Sequence, residues 1–105
     1  MEAQVRDQLE RAAAGTTGRS AATVYGGHER VLRQTLIALT AGTTMAEHEN
    51  PGEATVLVLR GRVRMLSGDH SWDAMTGDLL IIPDARHGLE AVEDSALLLT
   101  VAKTG

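Results

Sequence analysis

Residues 42–61 read GTTMAEHENPGEATVLVLRG, and residues 77–87 read GDLLIIPDARH. In each stretch a glycine turn precedes a run of strand-forming residues, 54–59 in the first and the four residues before Pro83 in the second. The first run is apolar except at Thr55, which is typical of a strand covered on both faces. Pro83 ends the second run, because proline cannot donate a hydrogen bond to a strand ladder. The two stretches therefore predict two buried β-strands.

The same pattern continues on both sides of these stretches. Further runs of strand-forming residues, parted by glycine or acidic turns, lie at 31–40, 62–66, around Trp72, at 87–92 and at 97–102. Together they make about eight short strands at hairpin spacing. We therefore predict an all-β domain over residues 20–105, either a sandwich or a barrel.

The first part of the chain has a different residue pattern, with helical rather than strand periodicity. Residues 3–14 place Val5 and Leu9 on one stripe and end before Gly15, which predicts a short N-terminal helix. We assign residues 1–19 to this helix and a linker. Its apolar stripe is narrow, so we expect it to pack on the sheet or on a partner chain, or else to form a loosely attached arm.

The composition excludes several classes of protein. The chain has 10 basic and 14 acidic residues, and the basic residues form no cluster that could bind nucleic acid or an anionic membrane. It contains no cysteine, so disulfides and thiolate metal ligands are absent. Neither a signal peptide nor an apolar stretch of membrane-spanning length is apparent. These features predict a soluble, cytoplasmic protein that partners neither nucleic acid nor membrane.

In order and spacing, the two quoted stretches resemble the two signature motifs of the cupin superfamily. The first motif of that family has a Gly, five residues, His-x-His, a Glu a few residues later and a final Gly, here running from Gly42 to Gly61. The second has a Gly, five residues, a Pro and then a His, here Gly77 to His87. The resemblance covers about residues 30–102 and implies a double-stranded β-helix, the cupin or jelly-roll barrel.

The polar residues of the two motifs are the candidate site. His48 and Asn50 are two residues apart, so on a strand both side chains leave from the same face. His87 shares a face with Leu89, which directs its imidazole toward the apolar interior. We therefore expect His48, Asn50 and His87 to line one cavity, with Glu53 nearby, as the ligand-binding residues.

The resemblance implies a metal site of three His and one Glu, suited to Fe, Mn, Ni, Cu or Zn. This sequence departs from it, because Asn50 stands at the second His and Ala54 stands at the Glu, with Glu53 beside it. His87 also follows Pro83 one residue sooner than usual. A metal would be held by His48 and His87, helped by Glu53 or Asn50, and would bind weakly.

Three classes of function follow from the resemblance. We favour a non-catalytic binder of a small molecule, because polar residues that face the interior would cost stability without a ligand to bind. The first alternative is a metal-dependent dioxygenase, isomerase or decarboxylase acting on a small polar or phenolic substrate. The second is a dimeric structural or regulatory module. The sequence leaves open whether the protein is an enzyme.

The apolar strands also predict an assembly. Residues 54–59 and 96–102 are apolar on both faces except at Thr55 and Thr100, yet a barrel strand has only one inward face. The short helix is too small to cover both strands. We expect a C₂ homodimer that packs sheet on sheet, with the N-terminal helix or strand reaching across to the partner.

Overall fold

The computed structural model describes residues 1–27, 29–48, 52–82 and 87–103. One helix, α1 (Glu2–Ala14), precedes nine strands in these residues. The strands are β1 (Arg19–Tyr25), β2 (Leu32–Leu39), β3 (Thr44–His48), β4 (Gly52–Arg60), β5 (Arg62–Ser67), β6 (His70–Met75), β7 (Leu79–Ile81), β8 (His87–Ala91) and β9 (Ser95–Lys103).

The strands form two antiparallel sheets that face each other. The five-stranded sheet has the order β1-β2-β9-β4-β7, and the four-stranded sheet has the order β3-β8-β5-β6. Among strands adjacent in the chain, only β1 and β2 and then β5 and β6 pair with each other, and every other connection crosses to the opposite sheet. This arrangement confirms the predicted all-β fold with a short N-terminal helix.

The core lies between the sheets and is aliphatic. Alternate residues of each strand point inward, so that Val56 and Val58 of β4 meet Val63 and Met65 of β5 in one buried cluster. With no Phe in the chain, the core is filled by Val, Leu, Ile, Ala and Met.

Helix α1 packs on the outer face of the five-stranded sheet. Val5 contacts a second, smaller cluster that contains Leu36 of β2 and Ala96 of β9. The Ser20 hydroxyl lies 2.6 Å from Gln8 Oε1 and 2.8 Å from the Gln8 carbonyl oxygen, which ties β1 to the helix. The helix therefore packs on the sheet of its own chain and is not a loose arm.

Each predicted strand run corresponds to a strand of the structure, but β1 and β3 were not among the predicted runs. The runs predicted at 31–40 and 54–59 correspond to β2 and β4, whose ends differ from the predicted ones by one or two residues. Strand β1 was not predicted as a separate strand, and it starts at Arg19, inside the segment assigned to the linker. Within the residues that the structure describes, no helix has the length and apolar character that a membrane crossing requires.

Gly61 alone connects β4 of one sheet to β5 of the other. Its φ of +95° is a conformation that side chains with a Cβ rarely adopt. A Cβ at this position would lie 2.8 Å from Ser95 Cα and would also collide with the Asp94 carbonyl oxygen. Ser95 is fully buried, and its hydroxyl accepts a hydrogen bond from the Arg62 backbone N–H at 3.1 Å. The backbone at this crossover between the sheets therefore packs directly against the backbone of Asp94 and Ser95.

Candidate functional site

A cavity of about 190 Å³ lies between the two sheets. Its walls come from both sheets, and they include Ile37 of β2, Met45 of β3, Val56 of β4, Leu89 of β8, and Leu99 and Val101 of β9. These side chains face inward because each occupies the inner position of the strand alternation. Apart from Leu89, none of these residues stands out in the sequence, since an apolar residue on an inner strand face has the same pattern whether it fills a core or lines a cavity.

His87 brings the cavity its one polar side chain among the described lining residues. It is the first residue of β8 and is 7% exposed. Leu89 and Ala91, two and four residues later, are buried on the same face of the strand. As far as the described residues show, the cavity wall is thus apolar apart from this imidazole.

The backbone of His48 lies opposite His87. The two residues are paired in the register of β3 and β8, and Met45 is paired with Leu89. Two residues therefore lie between the paired positions on β3, whereas one lies between them on β8, so β3 carries a bulge between Met45 and His48. Without the bulge, Glu47 would occupy the position opposite His87.

The other two candidates are placed differently. Glu53 is exposed, whereas Ala54, Val56 and Val58 of the same strand are buried, so Glu53 lies on the outer face of β4. Its backbone is paired with Ala102 of β9. Asn50 lies outside the described residues, as does the side chain of His48. Of the four predicted site residues, the structure therefore describes only His87 in the cavity wall and the backbone of His48 opposite it.

The described residues do not make a metal site by themselves. They contain no group of three or more His, Cys, Asp or Glu side chains placed to hold an ion. Glu53, the carboxylate expected to help, is on the opposite face of β4 from the cavity. A metal would depend on the two histidines together with ligands beyond the described part of the chain.

The shortest ion pair in the described residues is on the outside of the barrel. Arg64 Nε donates a hydrogen bond to Asp73 Oδ1 at 2.8 Å, across β5 and β6. This bond lowers the pKa of the Asp73 carboxyl and raises the pKa of Arg64. The flanking residues Val63 and Met65 are buried in the core, so the pair faces away from the cavity.

Solved structures with this arrangement of sheets include proteins named as cupins. A cupin superfamily protein from Desulfitobacterium hafniense matches with a TM-score of 0.77 at 18% identity, covering 89% of this chain and 87% of that one. An RmlC-like cupin protein from Desulfovibrio desulfuricans matches with a TM-score of 0.71 at 26% identity, covering 80% and 81%. The chain has the cupin fold. The double-stranded β-helix predicted from the two motifs is confirmed.

The fold is also similar to that of an enzyme. A mutant form of the salicylate 1,2-dioxygenase from Pseudoaminobacter salicylatoxidans has a TM-score of 0.77 at 20% identity, over 96% of this chain but 33% of that one. At that identity the likeness shows the fold alone. No protein-family model matches this sequence, and no curated protein does.

Proposed function

We propose that this cupin binds a small, largely apolar molecule in the cavity between its sheets, with His87 forming a polar contact to it. The observation that carries the proposal is an aliphatic cavity of about 190 Å³ whose wall contains one buried imidazole. Ligand sites commonly combine apolar walls with a few polar groups that orient the bound molecule. A dry apolar cavity of about 150 Å³ is known to accept benzene, so this cavity has room for a ring-sized ligand.

Titration with phenol tests this function. Phenol is expected to shift the methyl NMR signals of Val56 and Leu99, because its ring fits the cavity and its hydroxyl can reach an imidazole. Leu99→Trp fills the cavity and is expected to weaken phenol binding at least about tenfold, a loss of roughly 1.4 kcal/mol. Val31→Trp adds the same side chain at a position that is 68% exposed, and is expected to bind phenol as the wild type does.

Far-UV circular dichroism establishes that each variant is folded, and Val56→Phe provides a second way of filling the cavity. The cavity is not the binding site if millimolar phenol leaves the Val56 and Leu99 methyl signals of the wild type unchanged. The same conclusion follows if both cavity-filling variants bind phenol with the wild-type affinity.

The second candidate is a metal-dependent enzyme, and the observation in its favour is the register that pairs His48 with His87. Two imidazoles are fewer protein ligands than catalytic metal sites use. After dialysis against EDTA, elemental analysis is expected to find well under one Fe, Mn, Ni, Cu or Zn per chain, with no change in His48→Ala. A stoichiometric metal that survives chelation in the wild type and is lost in His48→Ala would instead favour the enzyme.

We further propose that the protein is a C₂ homodimer formed through the outer face of the five-stranded sheet. Helix α1 covers only the part of that face around Leu36 and Ala96. Leu79 and Ile81 of the edge strand β7 remain 57% and 69% exposed. In register with them on the same face lie Leu57 and Thr55 of β4 and then Leu98 and Thr100 of β9. We call these six residues the sheet patch.

A second copy is the occupant that fits the sheet patch best. The patch contains no charged residue, so two copies can face each other across a two-fold axis without like-charge repulsion. An uncovered apolar edge strand such as β7 is also an aggregation hazard, which a partner would remove. A standard interface buries on the order of 1,600 Å² in total, and a homodimer more.

A further inference from the structure

A second cleft adjoins the cavity, between the two edge strands β1 and β3. It measures about 330 Å³ and is lined by Thr17, Arg19, Ser20, Ala21, Ile37 and Met45. Ile37 and Met45 also belong to the cavity wall. Because β1 ends one sheet and β3 ends the other, the barrel is open along this side. We call the cleft the side window.

Two of the three polar side chains of the side window are already hydrogen-bonded within the protein. The Ser20 hydroxyl is directed at Gln8 of the helix, 2.6 Å from its Oε1. Thr17 Oγ1 accepts a hydrogen bond from the Arg19 backbone N–H at 3.4 Å and lies 3.3 Å from the Arg19 carbonyl oxygen. Neither hydroxyl is therefore well placed to bind a ligand.

Arg19 is the charged group of the side window. Its backbone is paired with that of Leu39, and Ala21 is paired with Ile37, so Arg19 lies on the inner face of β1. Its side chain forms no ion pair with any acidic side chain in the described residues. A guanidinium in this position can donate two parallel hydrogen bonds to a planar anion.

The cavity favours an apolar group of a ligand, whereas the side window favours an anionic group. A carboxylate inside the aliphatic cavity would lose its hydration at a large energetic cost. At the side window the same carboxylate would remain partly hydrated and would lie beside a cation. A ligand with an apolar body and one anionic end matches both environments at once.

Resting on the proposed function, we infer that the ligand of this cupin is a small monocarboxylate whose carboxylate binds Arg19 at the side window. Its ring or short alkyl chain occupies the cavity beyond Ile37 and Met45. The acid group thus determines which apolar molecules bind, and the cavity volume limits their size.

Calorimetric titrations with benzoate and benzamide test the inference, because the two probes share size and shape but differ in charge. The wild type is expected to bind benzoate at least about tenfold more tightly than benzamide. Arg19→Gln is expected to lose roughly 10- to 100-fold in benzoate affinity, the usual effect of a charge-assisted hydrogen bond, with benzamide unchanged. Arg19→Lys keeps the positive charge but lacks the planar guanidinium that can donate two parallel hydrogen bonds. It should therefore retain part of the benzoate affinity. Arg6→Gln, which removes an exposed arginine of α1, is expected to leave both affinities unchanged.

The outcomes separate this inference from the function on which it rests. If both probes bind equally well, or if Arg19→Gln binds benzoate as the wild type does, the carboxylate assignment is overturned and the cavity remains a binding site. If neither probe nor phenol binds the wild type, the inference and the proposed function fail together.

Discussion

Ile81→Glu is expected to convert the proposed homodimer, with twice the mass of the 11.1 kDa chain, into a monomer. Ile81 is 69% exposed on the edge strand β7, within the sheet patch. In a two-fold dimer each copy would bury one unpaired carboxylate against an apolar surface. Such a charge costs about 3–5 kcal/mol, so the dissociation constant should rise at least about a hundredfold.

Sedimentation equilibrium at micromolar concentration measures this change directly. Val31→Glu is the matched control, because Val31 is 68% exposed but precedes β2, away from the sheet patch. It is expected to remain dimeric. A wild type that sediments as a stable monomer would contradict the dimer, and dissociation by Val31→Glu to the same extent would show that the wrong face was chosen.

Gly61→Ala is expected to destabilise the fold far more than Gly77→Ala. Both glycines have positive φ, +95° and +93°, so each substitution carries the backbone cost of about 1–2 kcal/mol. A Cβ at Gly77 meets nothing within 4 Å, whereas one at Gly61 meets the backbone of Asp94 and Ser95. Relieving that contact should add roughly 2 kcal/mol.

Chemical denaturation of the two variants and the wild type gives the free energies of unfolding that test this difference. Gly77→Ala controls for the backbone conformation, so the difference between the variants isolates the steric contact. Equal losses would mean that the crossover from β4 to β5 can shift to admit a methyl group, and that the close packing around Ser95 is not a constraint on the fold.

Much of the fold could be predicted from local patterns. Glycines at turns and runs of strand-forming residues marked most strands, because both signals act over only a few residues. The inward direction of His87 followed from the same alternation, and the structure places its side chain in the cavity wall. Glu53 was expected near the cavity, but its neighbour Ala54 is the buried residue of the two. The side chain of Glu53 is therefore on the outer face of β4.

The rest depended on contacts between residues far apart in the chain. The bulge that pairs His48 with His87 is a property of two strands in register, and no local signal in β3 reveals it. The side window exists because β1 and β3 end different sheets, which is a matter of topology. The helix was placed on its own sheet by Leu36 and Ala96, from strands distant in sequence. The sequence by itself determined the strands and their inner faces, since a strand alternates its side chains locally. Only the tertiary structure decided where those faces leave an empty volume and which charge lies at its opening, because a cavity is a property of several strands packed together.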